Sequence, residues 1–424
     1  LSRVYKKKKV QDALDSGEIN EGDIDFIVKP LLRTFIRVGL LDEEKISPQK
    51  IIDLPEHQEL AKKIAEEGMV LLKNENNILP IDLETINKVA IIGPNADREF
   101  GKPYHGGSSA VLPPFEITPY NGIKNYIGAK AEIISNVEEA DIVFLVVGLN
   151  HGGHLLLNLF LKREGDTEGS DRTKYQLPEE QQKLIKETVE KNPNTIVILV
   201  AGSPINVSEW YDEVPALLNA WYPGMMGGNA LAKILFGEIS PSGKLPVTYP
   251  KELEDHPAHK SKRRFPGDIE ELKIYYEEGI FVGYRYFDEK QIKPFFPFGF
   301  GLSYTEFKLS NIQVDKPEIK ENEIFNISID IENIGEKPGA ETIQIYIEDD
   351  QCSVGRPPRE LQAFEKVFLK PKERKTINFQ LNKSAFEFYS EENHTFIAEP
   401  GSFTIWAGNS SRDLPLSIKV HYKP

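Results

Sequence analysis

The residues best suited to catalysis are carboxylates crowded between glycines in one short segment. They are Glu164, Asp166, Glu168 and Asp171, within the run Arg163-Glu-Gly-Asp-Thr-Glu-Gly-Ser-Asp-Arg172. Neighbouring carboxylates raise one another's pKa, and a general acid needs a raised pKa to hold its proton near neutral pH. The run therefore predicts a proton donor, while the alternative that composition leaves open is a solvated acidic loop.

Two histidines precede this run, and we predict no metal site at them. His151 and His154 flank two glycines, a spacing that suits a metal-binding pair poorly, and no pair of cysteines supports them. We interpret them as polar contacts in a pocket or as surface residues, and the sequence indicates no cofactor.

Composition excludes several classes of function. The chain has 424 residues and a net charge of −15, which disfavours nucleic acid and anionic membrane surfaces as partners. Its one cysteine, Cys352, excludes an intrachain disulfide framework. The longest apolar runs, such as residues 142–149, are too short to span a bilayer. The remaining class is a globular protein, whose length predicts about two to four domains.

The first residues predict helices that belong to something larger. The chain begins at Leu1 rather than Met, without a signal-peptide hydrophobic region, so we expect a piece of a longer protein and favour a cytoplasmic location. Asn20 and Asp23 predict a capping box, and Pro30 predicts a kink. An apolar stripe at helical spacing follows the cap: Ile24, Ile27, Val28, Leu31, Phe35 and Val38.

The next stretch alternates short apolar runs with helical segments. The predicted strands, each buried on both faces, are residues 69–72, 89–92, 142–147 and 196–201. Helices are predicted at residues 178–191 and 229–236. This order predicts a layered α/β domain with a largely parallel sheet. Ligands bind beyond the carboxyl ends of such strands, which selects the loops after Ile92, Val147 and Ala201.

The last part of the chain has a different periodicity. Apolar and polar residues alternate in the segments 325–331, 342–347 and 403–406, with short turns and no helical stretch. This pattern predicts an antiparallel β-sandwich.

Several motifs together resemble the carboxyl-terminal half of glycoside hydrolase family 3. They occur in the family's order and extend over nearly the whole chain: Met69-Val-Leu-Leu-Lys-Asn74, Val89-Ala-Ile-Ile-Gly-Pro-Asn95, Gly106-Gly-Ser-Ser109, Val147-Gly-Leu-Asn150, Glu168-Gly-Ser-Asp-Arg172, Trp221-Tyr-Pro-Gly224, Gly227-Gly-Asn-Ala230, Pro241-Ser-Gly-Lys-Leu-Pro246, Tyr284-Arg-Tyr-Phe287 and Pro297-Phe-Gly-Phe-Gly-Leu-Ser-Tyr304.

The resemblance implies a layout of three parts. Residues 1–45 would be the terminal helices of a (β/α)8 barrel and a linker, residues 46–300 an α/β sandwich domain with a mostly parallel sheet, and residues 301–424 a fibronectin-III-like antiparallel β-sandwich. It also implies a partner: the barrel, as a domain or a subunit, would carry a nucleophilic aspartate. The family's Ser-Asp-Trp nucleophile motif and its Lys-His sugar-binding pair are both absent from this chain.

The resemblance also assigns roles to residues. Glu168 would be the acid/base, with Glu164 as the alternative if the loop is registered differently, because Leu155 to Lys162 add residues ahead of the acidic run. The substrate would be contacted by residues around it, namely Asn150, His151, Asp171 and Arg172.

The function implied is part of a retaining β-glycosidase that hydrolyses terminal non-reducing β-D-glycosyl residues. β-Glucosidase is favoured, while xylosidase, glucosaminidase and arabinosidase activities stay open. The expected substrates are β-linked oligosaccharides or aryl and alkyl glycosides, and self-association is left open. The alternative is a non-catalytic carbohydrate-binding or scaffold subunit. A nucleotide-binding protein is disfavoured, because phosphate-binding motifs are missing.

Overall fold

The computed structural model describes residues 6–42, 53–101, 111–149, 172 and 174–424. The chain divides into two compact units, Leu1–Pro55 and Glu56–Pro424. The domain boundaries expected from the sequence, at residues 45 and 300, stay predictions.

The first unit contains the two helices α1 (Lys7–Asp15) and α2 (Glu21–Arg37). The capping box predicted for α2 is confirmed: Asp23 N–H donates to Asn20 Oδ1 at 3.3 Å, and Asn20 N–H donates to Asp23 Oδ2 at 2.9 Å. The helix runs through Pro30. Much of its apolar stripe is exposed, including Ile27 and Leu31. Its assignment to a barrel stays a prediction.

The second unit begins with a layered α/β domain. Its helices are α3 (Pro55–Gly68), α4 (Pro119–Ile127), α5 (Glu179–Lys191), α6 (Gly227–Leu235) and the short α7 (Tyr284–Glu289). Its strands are β1 (Val70–Asn74), β2 (Lys88–Ile92), β3 (Glu132–Ile134), β4 (Ile142–Gly148), β5 (Thr195–Val200) and β6 (Ala216–Asn219).

These six strands form one sheet in the order β1-β6-β5-β4-β2-β3. All neighbours are parallel except β1, which pairs antiparallel with β6. Successive residues of β4 enter different cores: Phe144 and Val146 pack into one, Leu145 and Val147 into the other. A strand covered on both faces must be apolar throughout, so the predicted continuous runs and the largely parallel sheet are confirmed.

The predicted β-sandwich is also confirmed. Its strands are β7 (Phe307–Val314), β8 (Glu318–Ile319), β9 (Phe325–Asn333), β10 (Gly339–Asp349), β11 (Glu360–Leu369), β12 (Arg374–Leu381), β13 (Phe388–Ser390), β14 (Thr395–Ile397), β15 (Gly401–Gly408) and β16 (Leu416–Tyr422). A five-stranded sheet, β11-β10-β15-β16-β8, and a three-stranded sheet, β12-β9-β7, share one core, and β13 and β14 form a hairpin. Alternate residues of β9 are buried, as the alternation of apolar and polar residues in its sequence predicts.

Two motifs from the sequence form the junction between sheet and sandwich. Lys244 Nζ lies 2.6 Å from Glu341 Oε1 on β10, and it also donates to Gly301 O at 2.9 Å. Both side chains of this ion pair are largely buried. A buried charge whose partner is removed is costly, so the pair fixes the contact between the two layers.

Glycines allow α4 and α6 to touch through their backbones. A Cβ added at Gly228 would lie 2.1 Å from Thr118 O, and one added at Gly122 would lie 2.1 Å from Gly228 C and O. The Gly-Gly motif of residues 227–228 therefore serves close helix packing.

We predict that Gly228→Ala destabilises the chain by about 1–3 kcal/mol, because backbone atoms must move to admit the methyl group. Urea unfolding measures the change. Gly68→Ala is the matched control: a Cβ there meets nothing within 4 Å, and we expect no loss of stability. Equal stability of the two variants would contradict the close-packing account.

Candidate active site

The carboxyl end of β4 leads into residues 150–171, which contain the four carboxylates of the acidic run and are called the acidic segment below. β4 ends at Gly148, whose φ is +143°, and a Cβ there would lie 2.0 Å from Val200 O on β5. No other residue type fits this approach without moving one of the two strands. Glycine at this position therefore lets β4 and β5 stay in register up to their ends.

A glutamine from α5 holds the same residue from the other side. Gly148 N–H donates to Gln181 Oε1 at 2.8 Å, and Gln181 Nε2 donates back to Gly148 O at 2.9 Å. Gln181 is only 8% exposed. The side-chain amide of Gln181 thus pairs with the buried N–H and C=O of Gly148. These two hydrogen bonds tie the end of β4 to the start of α5.

The next residue, Leu149, is held by the loops and strands on both sides. Its N–H donates to Val200 O at 3.0 Å, and its carbonyl accepts from Asn95 Nδ2 at 3.1 Å. Asn95 follows β2 and is 1% exposed, and its own N–H donates to Val146 O at 3.2 Å. The last described residue before the acidic segment is therefore fixed by hydrogen bonds to β5 and to the loop after β2.

The chain is held again after the acidic segment. Arg172 Nη1 donates to Ser203 Oγ at 3.0 Å, and Nη2 donates to Pro204 O at 2.5 Å, both in the loop after β5. Three residues further on, Tyr175 O accepts from Asn206 N–H at 3.0 Å. Desolvation by burial raises the pKa of the Tyr175 phenol, whose hydroxyl donates to a backbone carbonyl. Leu149 and Arg172, the described residues on either side of the segment, thus both bond to β5 or the loop that follows it.

The predicted site residues divide into two groups. Arg172 is described, and its contacts place it on the loop after β5; its binding of substrate stays a prediction. The other predicted residues lie outside the described residues: Asn150, His151, Glu164, Glu168 and Asp171. Of the three loops selected from the sequence, those after β2 and β4 come together through Asn95 and Leu149, and Leu149 also bonds to Val200 at the end of β5.

Two residues that matter for this edge were not singled out from the sequence. Gln181 lies in the polar run Glu179-Glu-Gln-Gln-Lys183, which resembles a solvated helix face. Asn95 follows a Gly-Pro turn, where asparagine is common for local reasons. No spacing pattern signals either partner, because each acts across the sheet rather than along the chain.

An aromatic pair borders the same edge after β6. Trp221 has φ of +56°, a left-handed backbone that a residue with a Cβ seldom adopts. The ring centroid of Tyr222 lies 5.2 Å from that of Phe100. Both Trp221 and Tyr222 are partly buried and pack against the cores of the sheet, which agrees with packing as the commoner role of such aromatics.

Neither a metal cluster nor a membrane span occurs in the described part of the chain. Its His, Cys, Asp and Glu side chains form no group of three or more that could hold a metal ion. Among the same residues, no helix is both long and apolar enough to cross a bilayer.

Two known protein families match parts of the chain. Residues 69–304 match the glycosyl hydrolase family 3 C-terminal domain, and residues 341–411 match a fibronectin type III-like domain. The chain belongs to glycosyl hydrolase family 3. The resemblance drawn from the sequence motifs is confirmed, as are the α/β and fibronectin-III-like folds that it implied.

The similar proteins carry the names of enzymes that act on glycosides. Thermostable β-glucosidase B of Acetivibrio thermocellus is 38% identical over 423 residues, covering 97% of this chain and 54% of the relative. A β-xylosidase of Formosa agariphila is 32% identical, covering 92% of this chain and 54% of the relative. The chain therefore spans about half the length of these relatives.

A solved family 3 structure gives the same result for the fold. The β-glucosidase of Bifidobacterium adolescentis superposes with a TM-score of 0.82 at 30% identity, covering 98% of this chain and 60% of that structure.

We predict that Gln181→Met destabilises the chain by roughly 1–3 kcal/mol for each backbone group of Gly148 left without a partner. Denaturant unfolding measures this. Gln182→Met is the matched control, because Gln182 makes one bond, to Leu177 O at 2.9 Å, and its Oε1 has no partner. A loss at Gln182 as large as that at Gln181 would contradict the role of the Gly148 contact.

Proposed function

We propose that the chain supplies the acid/base half of the active site of a retaining β-glycosidase, with β-glucosides as the favoured substrates. The observation that carries the proposal is that the described residues on either side of the acidic segment, Leu149 and Arg172, are both held at the carboxyl edge of the parallel sheet. Leu149 is held by Asn95 and Val200 before it, and Arg172 by Ser203 and Pro204 after it. Family membership and the names of the relatives support the reaction class.

The proposed mechanism divides two carboxylates between two domains. Glu168 protonates the glycosidic oxygen as its bond to the anomeric carbon breaks, while an aspartate from the barrel attacks that carbon and forms a glycosyl ester. Glu168, now a carboxylate, then takes a proton from water, which attacks the anomeric carbon and releases the sugar with retained configuration. The geometry requires the two carboxyl groups to lie about 5–5.5 Å apart.

Fixed ends serve this chemistry through positioning. The acid must reach the leaving oxygen at hydrogen-bonding distance while a nucleophile from another domain approaches the opposite face of the sugar. A segment tied at Leu149 and at Arg172 limits where its carboxylates can lie relative to the sheet. The barrel, as a domain of the same polypeptide or a separate subunit, is the partner that the proposal requires.

The sugar is assigned by the relatives rather than by the described residues. The relatives include a β-glucosidase and a β-xylosidase. Glucose and xylose differ in the substituent at one carbon of the sugar ring. We favour glucosides because the relative at 38% identity is named a β-glucosidase.

We predict that the chain alone hydrolyses 4-nitrophenyl β-glucoside negligibly, because it carries one carboxylate of the pair. Fused behind the part of the Acetivibrio thermocellus enzyme that it does not span, the chain is expected to turn the substrate over. Turnover by the pure chain that is lost in Glu168→Ala would contradict the divided site. Binding of β-glucosides without turnover by the fusion would instead favour a carbohydrate-binding subunit.

Within that fusion, we predict that Glu168→Ala loses about 10²–10⁴-fold in kcat/KM, the usual contribution of an acid/base group. Azide is expected to restore turnover and to give β-glucosyl azide, because it attacks the glycosyl ester without needing a base. Glu164→Ala is the matched control and should keep its activity. A loss confined to Glu164→Ala would move the role to Glu164, and full activity of both variants would reject it.

A further inference from the structure

A pocket of about 450 Å³ lies between the α/β layer and the segment that connects it to the sandwich. Its lining comes from Arg172 and Tyr175, from Pro204, from the stretch around Val247 and Thr248, from Leu253, His256 and His259, and from residues 282–285 with Phe287 and Phe298. A volume of this size falls in the range of small-molecule sites, which runs from about 300 to 1,000 Å³.

The body of the pocket is apolar. Aliphatic and aromatic side chains form most of its wall, including Val247, Leu253, Val282, Phe287 and Phe298. A wall of this kind favours a ligand with a flat or compact apolar body, because polar groups of a ligand would lose their water there without replacement.

The polar groups of the lining are mostly hydrogen-bond donors. The described lining residues include Arg172, Arg285, His256 and His259 but no Asp or Glu, although the whole chain carries a net charge of −15. Arg285 is also paired with a carboxylate outside the lining, at 3.2 Å from Glu360 Oε1.

His256 and Tyr284 are oriented as donors. His256 Nδ1 accepts from Ala258 N–H at 3.3 Å, which leaves its Nε2–H to donate. The hydroxyl of Tyr284 accepts from Leu361 N–H at 2.9 Å and keeps its own hydrogen. Burial lowers the pKa of His256, which favours the neutral ring in this arrangement.

A buried hydroxyl in the wall is unused. Thr248 lines the pocket and is 9% exposed, and its Oγ1 has no hydrogen-bond partner. Buried polar groups in native proteins are nearly always paired, so an orphan in a pocket wall indicates a partner that comes from outside the chain.

We propose that this pocket binds a small organic carboxylate with an aromatic or other compact apolar body. Its lining offers His256 Nε2–H and the hydroxyl groups of Tyr284 and Thr248 as donors, none of its described lining residues is an Asp or Glu, its wall is apolar, and the Thr248 hydroxyl has no other partner. An acceptor-rich anion matches these donors better than a sugar, whose hydroxyl groups would also need acceptors. The inference concerns binding by the chain and does not depend on hydrolysis.

Calorimetric titration of the chain with benzoate, 4-hydroxybenzoate and hexanoate tests the proposal, with benzamide and glucose as neutral comparisons. We expect at least one carboxylate to bind with Kd below about 10 mM, and benzamide and glucose to bind at least about tenfold more weakly. Absence of saturable binding by all three carboxylates, or equal binding of the neutral molecules, would overturn it.

Two variants place the binding in this pocket. Val282→Trp fills the space from a half-exposed position and should weaken binding at least about tenfold, whereas Ile269→Trp, exposed on the same connecting segment outside the lining, should not. Thr248→Val keeps the shape of the side chain and should weaken binding about fivefold without loss of thermal stability. Unchanged affinity in both Val282→Trp and Thr248→Val would overturn the assignment.

Discussion

The paired hydrogen bonds between the Gln181 amide and Gly148 are the interaction on which the candidate site depends. They satisfy both backbone groups at the end of β4 and tie this end to α5 at 2.8 and 2.9 Å. Without them, a strand that is buried along its whole length would end in an unpaired donor and acceptor. Leu149, the next residue and the last one described before the acidic segment, follows directly from this contact.

Close backbone approach is the second constraint, and it explains several glycines of the family motifs. Gly93 and Gly148 stand at equivalent places, each at the end of a strand, where a Cβ would lie 2.2 Å from Val146 O and 2.0 Å from Val200 O respectively. Gly228 plays a similar part between two helices. These residues shape the edge at which ligands bind, although none of them carries chemistry, and this is why motifs of glycine can indicate an enzyme family.

Many of the strands and helices could be predicted from the sequence, but few of the side-chain hydrogen bonds that join them could. Strands β4 and β5 were predicted because a strand buried on both faces must be apolar throughout. Strands β3 and β6 were missed because three and four residues are too few to show a period. Gln181 looked like part of a solvated helix face, and its role depends on where β4 ends in space. The proposed acid/base, Glu168, rests on family resemblance, and physical reasoning from the described residues reaches only the two ends of its segment.

The central claim is that the segment between Leu149 and Arg172 presents a proton donor, Glu168, to the leaving group. Its most direct test compares kcat/KM of Glu168→Ala, in the chain joined to a barrel, for phenyl β-glucoside and 2,4-dinitrophenyl β-glucoside. A poor leaving group needs the proton and a good one does not, so a large loss with the phenyl glucoside and little loss with the dinitrophenyl glucoside is predicted. Equal losses for the two substrates would contradict the claim.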